Sequence, residues 1–116
     1  MAMAIAWFSA KDGNGIYKIA IEDGKPAVHS ALFPVIARNA NEADYLTLIR
    51  LLSDSCLPEG ATVLTANKLL VKQLEGGLKA SPQLKQAKQR ARKLMKQKRV
   101  KLVLMPRDEI VVQLGG

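Results

Sequence analysis

The chain has 116 residues, 48% of them hydrophobic, a length and composition that suit one domain over 1–116 with a real core. Its formal charge of +8 and pI near 9.9 favour an anionic partner, and a single cysteine excludes an internal disulfide or a cysteine-built metal cage. No apolar run approaches the roughly 20 residues of a membrane span, and the start "MAMAIAWFSAKDG" lacks a basic leader region, so no signal peptide is read there and a cytoplasmic location is expected.

"MAIAWFS" (3–9) predicts a buried strand, and "KDGNG" (11–15) a tight turn whose two glycines take positive φ. "IYKIAIE" (16–22) predicts a second strand, with Tyr17, Ile19 and Ile21 on one side and Ile16, Lys18, Ala20 and Glu22 on the other. After a turn at 23–25, "PAVHSALFPVIA" (26–37) predicts a third strand, with Pro34 at an edge, bulge or strand end. Three strands joined by two turns make an antiparallel meander.

The period then changes. Asn39 or Asn41 caps a helix in which Leu46, Ile49 and Leu52 recur at three-residue spacing beside Tyr45 and Leu48. "LPEGA" (57–61) ends it, "TVLTA" (62–66) is a short strand, and "NKLLVKQLEGG" (67–77) a short helix stopped by glycines. Cys56 reads as a small helix-packing residue rather than a nucleophile, since His29, the sole histidine, lies on a different element.

In "SPQLKQAKQRARKLMKQK" (81–98) Ser81 caps a helix and Pro82 occupies its first turn. Leu84, Ala87, Ala91, Leu94 and Met95 fall on one stripe, and Lys85, Lys88, Arg92, Lys96 and Arg99 on a neighbouring one. "VKLVLM" (100–105) is a last strand, and the apolar tail "EIVVQLGG" (109–116) reads as an extra strand able to pair with a partner or a second copy of the chain. The expected class is α/β: a mixed five-stranded sheet, three antiparallel strands followed by helix, strand, helix, helix, strand.

Between Glu75 and Asp108 there is no acidic residue, while more than half of the 18 Lys and Arg lie there, Lys79 and the helical stripe among them. Like charges at helical spacing repel and no i,i+4 acid relieves them, so a phosphate-bearing partner is the simpler account. None of the aromatics lies in this region, which points to sequence-tolerant backbone contacts rather than base stacking.

The segments "NEADYLTLI" (41–49), "TANKLLVKQLEGG" (65–77), "SPQLKQAKQRARKL" (81–94) and "VKLVLMPRDE" (100–109) resemble, in order and spacing, the reverse-transcriptase-like branch of the ribonuclease H-like fold. In active members of that family four carboxylates hold two Mg²⁺ ions. The resemblance places those positions on Ser9, Asp44 and Ala66, with the last acid absent after "PRDE", so Asp44 alone keeps its charge. Glu42 points about 200° away around the helix, and Asn67 replaces no acid without a change of register. The reading this implies is a nucleic-acid-binding module for duplex or RNA/DNA hybrid with a degenerate site and no cofactor. The alternatives are a Mg²⁺-dependent hybrid ribonuclease rebuilt from Asp12, Asp44 and Asp108 or Glu109, and a protein-interaction or homodimerising module.

Overall fold

The computed structural model describes residues 3–22, 24–25, 27–76 and 78–115. Strands β1 (Met3–Lys11), β2 (Asn14–Glu22) and β3 (Ala27–Pro34) precede helix α1 (Ala40–Leu52). Then come β4 (Thr62–Thr65), α2 (Lys68–Leu74), a 3₁₀ turn (Pro82–Leu84), α3 (Lys85–Lys98), β5 (Lys101–Leu104) and α4 (Arg107–Gln113). The sheet order is β3-β2-β1-β4-β5, with β1, β2 and β3 antiparallel in succession and β4 parallel to both β1 and β5. The meander and the mixed five-stranded sheet are as expected from the sequence. Asp23 and Pro26, to which the second turn and the start of the third strand were also assigned, lie outside the described residues.

The first hairpin differs in its chemistry from the expectation. Its two turn residues are Asp12 (φ +53°) and Gly13 (φ +80°), the pair that a mirror-image two-residue turn demands. Gly15 takes no positive φ. It lies in β2, where an added Cβ would meet Thr47 Oγ1 at 2.5 Å, Phe33 Cε2 at 2.8 Å and Val35 Cγ2 at 2.9 Å. Its glycine is needed for space, because α1 and β3 close onto the backbone there. Pro34 falls at the end of β3, where no ladder donor is required.

Asn39 caps α1, its side chain accepting from Glu42 N at 2.9 Å, while Glu42 Oε1 accepts from Arg38 N at 2.9 Å. This reciprocal arrangement employs Glu42 at the helix start. The core face of α1 is centred on Tyr45, Leu48, Leu51 and Leu52, with Leu46 and Ile49 half-buried on its flank. It packs on Ala4, Ala6 and Phe8 of β1 and on Tyr17 and Ile19 of β2. Alongside it lies α3, which with Leu84 of the preceding 3₁₀ turn contributes Ala87, Ala91, Leu94 and Met95, the apolar stripe read from the sequence. Ser81 stands before the 3₁₀ turn but makes no side-chain capping bond.

The tail is a helix, not an extra strand. Pro106 stands at the N-cap of α4, Asp108 and Glu109 occupy its first turn, and Ile110 is buried. Acids in the first turn complement the helix dipole, and this start signal outweighs the β-branched run that follows it. Cys56 also departs from expectation: it lies beyond the end of α1 and is exposed rather than packed.

Candidate nucleic-acid interface and the Asp44 network

The N-terminal turns of α1 and α2 meet beyond the end of β4. Asn67 caps α2 by accepting from Leu70 N at 2.9 Å, which aims its amide nitrogen the other way. That nitrogen donates to Asp44 Oδ2 at 2.7 Å and to Asn41 Oδ1 at 2.9 Å. Asn41 in turn donates to Gln73 Oε1 at 3.2 Å, as does the buried Tyr45 hydroxyl at 2.9 Å. Gln73 Nε2 reaches the carbonyl of Lys79 at 3.4 Å. Asn39 does the capping of α1, and Asn41 is thereby released into this network.

Burial pushes the Asp44 carboxyl above its ordinary range, against the lowering pull of the Asn67 amide, the Arg107 guanidinium and the backbone of Ala10. Burial likewise pushes the Tyr45 hydroxyl up to about 12, so it serves as a neutral donor at neutral pH. The β1–β4 register pairs Trp7 with Leu64 and, carried two residues further, sets Ser9 opposite Ala66. Ser9 and Ala66 are both half-buried. Asp12 is exposed at the hairpin tip, and Asp108 and Glu109 are exposed on α4. Among the described residues, the trio of His, Cys, Asp or Glu groups close enough to share an ion is His29, Asp54 and Cys56, and it includes none of these acids. Among the described residues Asp44 belongs to no such group, whereas hard divalent cations are held by several carboxylate oxygens. What meets Asp44 is a hydrogen-bond donor, with a guanidinium in range.

The cationic residues follow a second line. Lys79 is exposed next to the Gln73 end of the network, and Lys85, Arg92 and Lys96 are exposed along α3. Lys88 is half-buried, with Nζ 3.4 Å from the carbonyl of Leu78. Among the described residues no acid lies within ion-pair distance of any of these groups; the one such pair is His29–Asp54. Arg99 is placed differently from the rest. The helix stops at Lys98, and Arg99 is its left-handed cap with φ +53°, so the spacing that put it on the stripe no longer applies. Lys98 is committed elsewhere, donating to the carbonyls of Asp54 at 2.8 Å and Leu57 at 3.5 Å. These contacts fix the direction of the strip. It starts at the Asp44 end of α1 and runs alongside that helix toward the Asp54 end.

Sequence reasoning missed the approach of His29 to Asp54, Nε2 to Oδ2 at 3.2 Å, with Cys56 close by. The one legible signal was the turn after α1, which holds two of the three residues. It also missed Arg107, placed near Asp44 and Ala66 by the start of α4.

No protein-family model and no curated protein matches the chain. Solved structures do. The RNase H1 of the halophilic archaeon Halobacterium salinarum NRC-1 superimposes with a TM-score of 0.76 at 20% identity, over 93% of this chain and 89% of that one. LC11-RNase H1, in complex with an RNA/DNA hybrid, gives a TM-score of 0.64 at 21% identity, over 98% and 93%. The N-terminal RNase H domain of rv2228c from Mycobacterium tuberculosis, solved as a maltose-binding-protein fusion, gives 0.67 at 23%, over 97% and 88%. The resemblance read from the segments at 41–109 is thus matched in three dimensions over nearly the whole chain.

Proposed function

On a ribonuclease H-like fold, we propose a module that grips the phosphate backbone of a nucleic-acid duplex or RNA/DNA hybrid through α3 and does not cleave it. The observation that carries this reading is the unpaired cationic strip that starts beside the Asp44 network and continues along α3. Held on a rigid helix about 21 Å long and free of ion pairs among the described residues, these cations neutralise phosphates and release condensed counterions. All five aromatic residues are buried in the core, so none is available to stack on bases, and the reading is sequence-tolerant. That LC11-RNase H1 is seen with an RNA/DNA hybrid supports a helical substrate rather than a single strand.

The donor set supports a module that does not cleave. Phosphodiester hydrolysis by paired cations needs both ions clamped around the attacking water and the leaving oxygen, and Asp44 instead accepts from an amide N–H, with the Arg107 charge near enough to pull its pKa down. The route to a second copy through a tail strand lapses with α4 being a helix.

A titration against single-stranded, duplex and hybrid oligonucleotides, followed by incubation with Mg²⁺, tests the proposal. Tighter binding of the helical forms with the strands left intact is the expected result. Mg²⁺-dependent cutting of the hybrid would establish the rebuilt nuclease. No binding at low salt would make the strip a solvated surface.

A further inference from the structure

At the end of α1 remote from Asp44, three chemically different side chains converge. His29 stands on the edge strand β3, while Asp54 and Cys56 lie in the turn after α1. One imidazole nitrogen, one carboxylate oxygen and the thiol sulfur all lie within 4.8 Å of one another. Tetrahedral Zn²⁺, bound at about 2.0–2.3 Å, sets its ligand atoms roughly 3.3–3.8 Å apart. Closing the trio around a cation therefore takes movements of about an ångström in exposed side chains.

The carboxylate is already held in place. Asp54 Oδ2 accepts from the buried Tyr17 hydroxyl at 2.5 Å, and Oδ1 accepts from Cys56 N at 2.8 Å. The second bond also fixes where the Cys56 side chain leaves the backbone. Lys98 Nζ, donating to the carbonyls of Asp54 and Leu57, ties the turn to the end of α3. Partners of this kind orient first ligands and are half of what makes a metal site. His29 and Cys56 are exposed, so a cation reaches the trio directly from solvent.

We propose that His29, Asp54 and Cys56 bind one divalent cation of borderline softness, of which Zn²⁺ is the type, with water in the fourth position. Imidazole and thiolate select the zinc class, whereas Mg²⁺ prefers an all-oxygen octahedron. Coordination releases the thiol proton to solvent. The bound ion ties β3 to the turn after α1, two parts of the fold otherwise joined there by the His29–Asp54 contact, while Tyr17–Asp54 holds the turn to β2. The site lies beyond the C-terminal end of α1, eight residues or about 12 Å of helix rise from Asp44 to Leu52, and stands apart from the nucleic-acid reading.

Cobalt(II) titration of the reduced full chain tests this. The expected result is a near-ultraviolet cobalt–thiolate absorption with tetrahedral visible bands, saturating at one equivalent, displaced by Zn²⁺ and untouched by millimolar Mg²⁺. Cys56→Ser removes the near-ultraviolet band, and His29→Ala weakens cobalt binding at least tenfold. Both residues are exposed, so the variants keep the wild-type circular dichroism. Absence of the bands at one equivalent overturns the proposal. So does a His29→Ala variant that binds as the wild type does, since the thiol alone would then be the ligand.

Discussion

The side-chain nitrogen of Asn67 sits 2.7 Å from Oδ2 of Asp44, a donor placed against the acid that the resemblance sets at a metal-binding position. Burial raises the Asp44 pKa in the folded chain over its unfolded value, near 3.9. Above the folded pKa the native state carries a buried charge that the unfolded state hydrates freely, so the cost is fully present there. Below the unfolded pKa both states are protonated and the cost is gone. Asp44→Asn keeps an acceptor for Asn67 and removes the charge. It is expected to melt above the wild type at pH 7, with the two curves converging as the pH falls toward 3. A variant less stable than the wild type at pH 7 would show that Arg107 and Asn67 more than offset the burial of the carboxylate.

Millimolar Mg²⁺ should leave the melting temperature where an equal ionic strength of NaCl leaves it, because a ligand stabilises only through binding to the native state. Ser9 and Ala66, which the resemblance places where active members carry carboxylates, come opposite one another when the β1–β4 register at Trp7 and Leu64 is carried two residues further. The double variant Ser9→Asp, Ala66→Asp is expected to gain a saturable Mg²⁺-dependent rise that Asp44→Ala then abolishes. A saturable rise in the wild type, lost in Asp44→Ala, would locate a working metal site that the side-chain geometry does not show.

Gly15 offers a test of packing alone. A methyl group there must displace Thr47 Oγ1, Phe33 and Val35, all at 2.9 Å or less from the added Cβ. Thr47 cannot easily yield, since its hydroxyl donates to the carbonyl of Ala43 at 2.8 Å. Gly15→Ala is expected to cost about 1–3 kcal/mol, as overpacking of a filled interior does. Urea denaturation reads this as a lower midpoint at unchanged slope. An unchanged midpoint would mean that β2 shifts away from α1 without penalty.

The parts legible in the sequence were those with a repeating pattern. Alternation marked β2, the 3.6-residue period marked α1 and α3, and the turn residues marked the meander. Segment order did the rest, placing Asp44, Ser9 and Ala66 on converging elements. Features set by tertiary contact escaped. The run Ile110-Val111-Val112 carries strand propensity, yet α4 forms because Pro106, Asp108 and Glu109 start a helix and Ile110 has a core to enter. Gly15 looked like a turn glycine because nothing local reports how closely α1 approaches. The meeting of His29 with Asp54 joins residues 25 apart through the end of a helix and an edge strand, a distance that no local pattern encodes.

The cationic strip is the feature on which the functional reading depends. Arg92 and Lys96 are exposed on successive turns of α3, and neither flanks the hydrogen bonds by which Lys88 and Lys98 hold nearby backbone. Each phosphate neutralised on B-form duplex adds about 0.9 to the magnitude of the slope of log affinity against log salt. With Lys79, Lys85, Lys88, Arg92 and Lys96 engaged, a slope of about −3 to −5 is expected. Replacing Arg92 and Lys96 together by Ala should flatten it by about 2 and weaken binding to unrelated sequences alike. Folding should be retained, because the core side of α3 is formed by Ala91 with Ala87, Leu94 and Met95. The decisive measurement is therefore the salt dependence of both proteins on one duplex and one hybrid. Equal slopes for wild type and double variant would remove α3 from the interface, whatever the absolute affinity.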